Sequence, residues 1–194
     1  MEVNDFWKKK IHFYFTEILD FDNDGRVSSK DVAGFKEMYK YMKKLKQDSP
    51  ELDRFSKFLN VWINNILAIT NKKTGGHETS ITPEDFRKYC EKIRVELVGR
   101  KTWPSSLSYM SDYIEALFSI LDTDNDRSIS KKDFLSNSAN AEDHKSREVS
   151  WALITDKDDN KKIDIRFFNE LCIEFLVSTN PKDRGNWIFG TFRY

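Results

Sequence analysis

The run Asp20-Phe-Asp22-Asn-Asp24-Gly25-Arg26-Val27-Ser28-Ser-Lys-Asp31 places side-chain oxygens at positions 1, 3, 5, 9 and 12 of a twelve-residue window. It adds glycine at position 6 and a β-branched residue at position 8. Nothing else in the chain restricts its fold as tightly. Three aspartates on alternate residues repel one another, and they converge on one point only if the backbone turns sharply just after the third. Gly25 permits that turn because glycine takes positive φ without a steric penalty. An oxygen-only set at this spacing suits a hard cation such as Ca²⁺. Arg26, at position 7, would offer its carbonyl and leave its side chain in solvent.

The run recurs as Asp122-Thr-Asp124-Asn-Asp126-Arg127-Ser128-Ile129-Ser130-Lys-Lys-Asp133, with the same oxygens and Ile129 at position 8. Arg127 replaces the glycine, and a non-glycine residue in the left-handed region costs about 1 kcal/mol. Two further windows keep part of the pattern. Residues 74–85 retain Ile81 and Asp85, but Thr74 and Gly76 stand at positions 1 and 3, so this loop is expected to stay metal-free. Residues 156–167 carry Asp156, Asp158, Asn160, Ile163 and Asp164 but close on Phe167. Lys157, Lys161 and Lys162 add repulsion there. Binding at 156–167 is not expected, although Phe167→Glu is expected to revive it.

Apolar residues at helical spacing flank each window. Ile11, Tyr14, Phe15, Ile18 and Leu19 precede the first, and Val32, Phe35 and Tyr39 follow it. Ile114, Leu117, Phe118 and Leu121 repeat the leading offsets before the third. The fold read from this is all-α: four helix–loop–helix units in two pairs, with short antiparallel β-ribbons between paired loops. Val27 should face Ile81, and Ile129 should face Ile163. Residues 1–98 would form the first pair and 108–180 the second, joined where Gly99 to Leu107, with Trp103-Pro104, breaks the helical period. Residues 181–194 form an aromatic tail. Trp187, Ile188, Phe189 and Phe192 are too apolar to remain in water, since burying each is worth roughly 1.5–3 kcal/mol. They are expected to fold back between the halves.

These loops resemble those of the EF-hand superfamily. Within it, the chain resembles the invertebrate sarcoplasmic calcium-binding proteins, with calexcitin and the photoproteins as cousins. The likeness rests on Asn4-Asp-Phe-Trp7 opening the first helix, a first loop closed by aspartate, a crippled second loop, and the ending Asn186-Trp-Ile-Phe-Gly190-Thr-Phe. It implies metal ligation by Asp20, Asp22, Asp24, the Arg26 carbonyl, Ser28 and Asp31. It implies the same for Asp122, Asp124, Asp126, the Ser128 carbonyl, Ser130 and Asp133.

Composition narrows the role. Lys plus Arg and Asp plus Glu are each 32 of 194 residues, so the chain lacks the basic excess of a nucleic-acid binder. No apolar run is long enough to span a membrane, and no apolar core follows the charged first ten residues as in a secretory signal. Cys90 and Cys172 lie among apolar neighbours and read as two buried thiols in a reducing cytoplasm. The three histidines have neither metal nor triad spacing, and no enzyme motif is present. A sensor that opens to capture a target helix would want methionines and an acidic surface. This chain has four Met, and outside the eight loop aspartates 24 acidic residues face 32 basic ones. A monomeric cytoplasmic Ca²⁺ buffer with about two sites is expected; the alternative is a Ca²⁺ sensor that binds a target protein. Aspartate at position 12 of both loops, one methylene shorter than glutamate, favours a six-oxygen shell and hence competition by Mg²⁺.

Overall fold

The computed structural model describes residues 3–69, 80–136, 138 and 140–191. Among them are eight α-helices: α1 (Asp5–Tyr14), α2 (Ser29–Met42), α3 (Pro50–Ile69), α4 (Pro83–Leu97), α5 (Met110–Leu121), α6 (Lys131–Ser136), α7 (Ala141–Thr155) and α8 (Ile165–Val177). They alternate with the four windows as expected. The helix starts are written in local chemistry. The Asn4 side-chain oxygen accepts from the Trp7 amide, Asn140 caps α7, and Asp164 caps α8. Pro83 opens α4 at a position where a missing N–H costs nothing.

Both expected loop contacts form. Val27 and Ile81 exchange two backbone hydrogen bonds of 2.9 and 2.8 Å in a single antiparallel bridge. Strand β1 (Ser128–Ile129) pairs antiparallel with β2 (Ile163–Asp164), with Ile129 opposite Ile163. All four position-8 side chains are buried. The all-α class with short ribbons is therefore what the chain adopts. The positions of Thr74, Gly76 and Glu78 in the second window, and Phe192 in the tail, lie outside the described residues.

The apolar stripes converge on one core. Helix α1 packs on α4, α3 on α5, and α4 and α5 on α8, so helices from both halves of the sequence share it. At its centre the Tyr14 ring lies 6.1 Å from Phe86 and 5.5 Å from Phe175, and Phe58 stacks on Tyr113 at 5.0 Å. The Tyr14 and Tyr113 hydroxyls are hydrogen-bonded, as are those of Tyr89 and Tyr109. The rings leave a small, almost wholly apolar cavity of about 30 Å³ among Tyr14, Trp62, Met110, Tyr113 and Phe189. Cys90 and Cys172 are free and buried, and burial pushes both thiols up.

The chain end turns back as a 3-10 turn, Arg184–Trp187, against α7 and α8. Trp187 and Ile188 are buried. The Phe189 ring sits 4.6 Å from Tyr14 of α1 and 4.9 Å from Phe175 of α8. Gly185 makes the close approach possible, because a Cβ there would lie 2.4 Å from the Leu171 carbonyl oxygen.

One departure from the expected helix bears on the first loop. After Tyr14 the helix widens into a π turn, Phe15–Leu19, closed by a 2.9 Å bond from the Asp20 amide to the Phe15 carbonyl. Phe15 and Leu19 are buried, Ile18 only partly so, and the turn delivers Asp20 into the protein at 6% exposure. Wide turns of this kind recur beside functional sites.

Candidate metal centres

Loops 20–31 and 122–133 are built alike, about a hundred residues apart. In the first, Asp24 and Gly25 donate their amides to the two Asp20 oxygens at 3.0 and 2.8 Å. In the second, Asp126 and Arg127 donate to Asp122 at 3.1 and 3.0 Å. These bonds curl each loop around its own first aspartate. As a result, Asp20, Asp22 and Asp24 place carboxylate oxygens within 4.8 Å of one another, and so do Asp122, Asp124 and Asp126. In each triad the first member is buried and the other two are exposed. All the donors are oxygen and the triads are already turned inward, so the residues fit a hard divalent cation.

The turn rests on two left-handed residues per loop. Gly25 has φ +83° and Arg127 +69°, and the preceding asparagines Asn23 and Asn125 lie at +57° and +58°. Asparagine tolerates this region better than most residues, and its role at position 4 is not evident from an oxygen count alone. Arg127 occupies the strained conformation that its place in the pattern implied.

Asp31 and Asp133 stand outside the triads, where they hold the loops shut. Asp31, 1% exposed, accepts from the amides of Phe21 and Ser28 at 2.8 and 2.7 Å and from the Ser28 hydroxyl. Asp133 accepts from the Ser130 amide and from the Ser130 and Thr123 hydroxyls. Burial would raise the Asp133 carboxyl, but the Ser130 and Thr123 donors outweigh it and hold it low. Asp85 forms the same box with Thr82. A Ser or Thr followed three residues later by an acid is a helix-capping box, and that second reading of position 12 was available in the sequence. Arg26 and Ser128 lie where the spacing put them. The Arg26 guanidinium points away to the Ser80 hydroxyl at 2.9 Å, and the Ser128 amide and hydroxyl donate to Asp126.

Loop 156–167 turns differently. Its left-handed residues are Asp156 (φ +56°) and Lys157 (+65°), at positions 1 and 2 rather than 4 and 6. Asp156 pairs with Arg184 of the tail, and Asp159 pairs with Lys131 at 2.8 Å. Asp164 caps the Phe167 amide at 2.7 Å with no acid at 167 to reciprocate. The backbone, as well as the missing carboxylate, separates this loop from the other two. The expectation that Phe167→Glu alone revives it does not fit this turn.

Lysines also border the third loop. The Lys162 ammonium lies 2.6 Å from Asp126 Oδ2. That hydrogen bond, with those from Ser128, holds the Asp126 carboxyl down at about 2. Lys43, just past α2, donates to Asn125 at 3.1 Å and to the Ser119 carbonyl at 2.8 Å.

No family model and no curated protein sequence matches the chain. Solved structures do match it. A sarcoplasmic calcium-binding protein from amphioxus superposes with a TM-score of 0.71 at 20% identity, covering 99% of this chain and 100% of that one. Calcium-loaded apo-aequorin from Aequorea victoria gives 0.61 at 16% identity, covering 92% and 94%. Okadaic acid binding protein 2.1 gives 0.63 at 10% identity, covering 98% of each. With its helices and small antiparallel ribbon matching that architecture, the chain has the EF-hand fold.

Proposed function

We propose that this chain is a cytoplasmic, monomeric calcium buffer that takes up one divalent cation in each of loops 20–31 and 122–133. The observation that carries the reading is the pair of aspartate triads, each with oxygens gathered within 4.8 Å. Asp20, Asp22, Asp24, the Arg26 carbonyl and Asp31 would hold one ion. Asp122, Asp124, Asp126, the Ser128 carbonyl and Asp133 would hold the other. Asp31 and Asp133 would exchange their capping donors for the cation, drawing α2 and α6 inward. Each half then pairs one binding loop with one silent partner that is retained for its ribbon. The names of two structural neighbours, a sarcoplasmic calcium-binding protein and calcium-loaded apo-aequorin, agree with this.

Buffering is favoured over sensing by the closed core. Phe189 is wedged between Tyr14 and Phe175, where a sensor would open a groove. Among the described residues no helix is long and apolar enough to cross a membrane. The deciding experiment is calorimetric Ca²⁺ titration with and without millimolar Mg²⁺, alongside a dye that reports exposed apolar surface. Two ions, Mg²⁺ competition and no new dye binding support the buffer. Strong Ca²⁺-triggered dye binding supports a sensor, and untouched Ca²⁺ binding in Mg²⁺ removes the mixed-metal part.

A further inference from the structure

The two triads match in geometry but differ in what faces them from the partner loop. The ribbon between Ile129 and Ile163 holds loop 156–167 alongside loop 122–133. This brings the position-7 residue of the silent loop, Lys162, onto Asp126 Oδ2 at 2.6 Å. Asp124 and Asp133 also favour its charged form. In the first pair the bridge between Val27 and Ile81 does the same work, but position 7 of the silent loop there is Ser80. Ser80 is uncharged, and its hydroxyl accepts from Arg26. Among the described residues no salt bridge reaches Asp20, Asp22 or Asp24, whereas Asp126 has one.

We propose that Lys162 is a tethered counter-cation that competes with the divalent ion for the third loop and makes it the weaker of the two sites. Resting on the metal-binding reading above, this adds how that site is tuned and by which residue. In the metal-free chain the ammonium neutralises one of three crowded carboxylates. When a divalent cation enters, Asp126 turns an oxygen to the ion and Lys162 is left beside two added positive charges. Lys162 is more than half exposed, so water and salt weaken this repulsion without abolishing it. Lys43 on Asn125 adds a second cation from the other half of the molecule.

The test replaces Lys162 with the residue at its counterpart position, Lys162→Ser, beside Lys162→Arg, which keeps the charge. To read one loop at a time, Ca²⁺ is titrated into full-length chains also carrying Asp22→Ala, which weakens the first loop, or Asp124→Ala, which weakens the third. Lys162→Ser should tighten the third loop about three- to tenfold, as expected for removing one charge several ångströms from a divalent ion. It should leave the first loop unchanged. Lys162→Arg should bind like wild type, and the gain should shrink toward nothing at about 1 M KCl, where the Debye length falls to about 3 Å. In chelator, Lys162→Ser should unfold at slightly lower temperature than wild type, because the triad has lost its counter-charge. Equal third-loop affinities in wild type and Lys162→Ser, or the same gain with Lys162→Arg, would overturn the proposal while leaving the metal sites intact. Absence of Ca²⁺ binding in every variant would overturn this proposal and the metal reading together.

Discussion

Lys10 and Asn186, 176 positions apart, are joined by a 2.6 Å hydrogen bond between side chains that are both fully buried. The bond belongs to a larger clasp. Four consecutive carbonyls at the end of α8 accept side-chain donors from the first half of the chain: Leu176 from Trp7, Val177 from Arg94, Ser178 from Lys10 and Thr179 from Asn4. A helix's last carbonyls lack intrahelical partners, and its C-terminal end favours cations. Lys10 and Arg94 therefore meet both needs while fastening α1 and α4 to the end of α8. Asn186 completes the seat, its amide donating to the Asn180 and Asp183 carbonyls while its oxygen accepts a hydrogen bond from the Lys10 amine.

Stability should depend on the charge of Lys10. Burial, reinforced by Arg94, lowers its pKa from 10.5 to about 7, while Asp183, Glu174 and Cys90 act the other way. Between about pH 7 and 10.5 the unfolded chain holds a proton that the folded chain releases, so this group makes stability rise with pH and fall on acidification through about 7. The clean window is about pH 7 to 8.5, before the thiols of Cys90 and Cys172 titrate in the unfolded chain and reverse the trend. Urea unfolding of the metal-free protein should show wild type gaining on Lys10→Met across that window, with a relative slope of up to about 1.4 kcal/mol per pH unit. Parallel curves would show that Lys10 keeps its proton.

The seat of the tail is sterically tight at one backbone position. Gly185→Ala would place a methyl 2.4 Å from the Leu171 carbonyl oxygen and 2.7 Å from Glu174 Cβ, both in α8. The substitution should cost about 1–3 kcal/mol, the usual penalty for overpacking, and should increase binding of an apolar-surface dye in metal-free protein. Gly99, a left-handed residue with nothing within 4 Å of where a Cβ would lie, is the control: Gly99→Ala should cost about 1 kcal/mol from backbone strain alone. Equal effects at the two glycines would show that the tail yields freely.

Arg127→Gly should relieve the left-handed strain at φ +69° and remove a positive charge from the loop, leaving the hydrogen bond from residue 127 to Asp122 in place because its donor is the backbone amide. Metal-free stability should rise by about 1 kcal/mol, and calorimetry should find the third loop binding Ca²⁺ several-fold more tightly. A weaker site would show that the arginine side chain holds the loop together.

Phe167→Glu should not create a third site by itself. The new acid could reciprocate the cap at Asp164, but the left-handed residues of that loop remain at 156 and 157, and Asp156 and Asp159 stay paired with Arg184 and Lys131. Stoichiometry should match wild type, with helix α8 slightly stabilised by the completed box, by a few tenths to about 1 kcal/mol. One additional Ca²⁺ in a titration would show that the turn adapts to the ion.

What the sequence determined by itself is what neighbours along the chain decide together. Alternate aspartates around Gly25, apolar residues every three or four positions, and β-branched Val27, Ile81, Ile129 and Ile163 at position 8 all act within one or two turns of backbone. Loops, helices and ribbon partners are therefore legible in the sequence alone. Even the strain at Arg127 is a local quantity. Tertiary structure alone decided how these pieces are tuned against one another. Asn4 and Trp7 were visible as a motif, yet their reason lies at the Thr179 and Leu176 carbonyls. Nothing in the sequence around Lys10 marks it as a buried lysine; packing places it against Asn186. Lys162 read as repulsion within its own loop, whereas the ribbon carries it across to Asp126 in the next. A lysine's energy depends on the few ångströms around its ammonium, and residues far away in sequence fill that space only once the chain has folded.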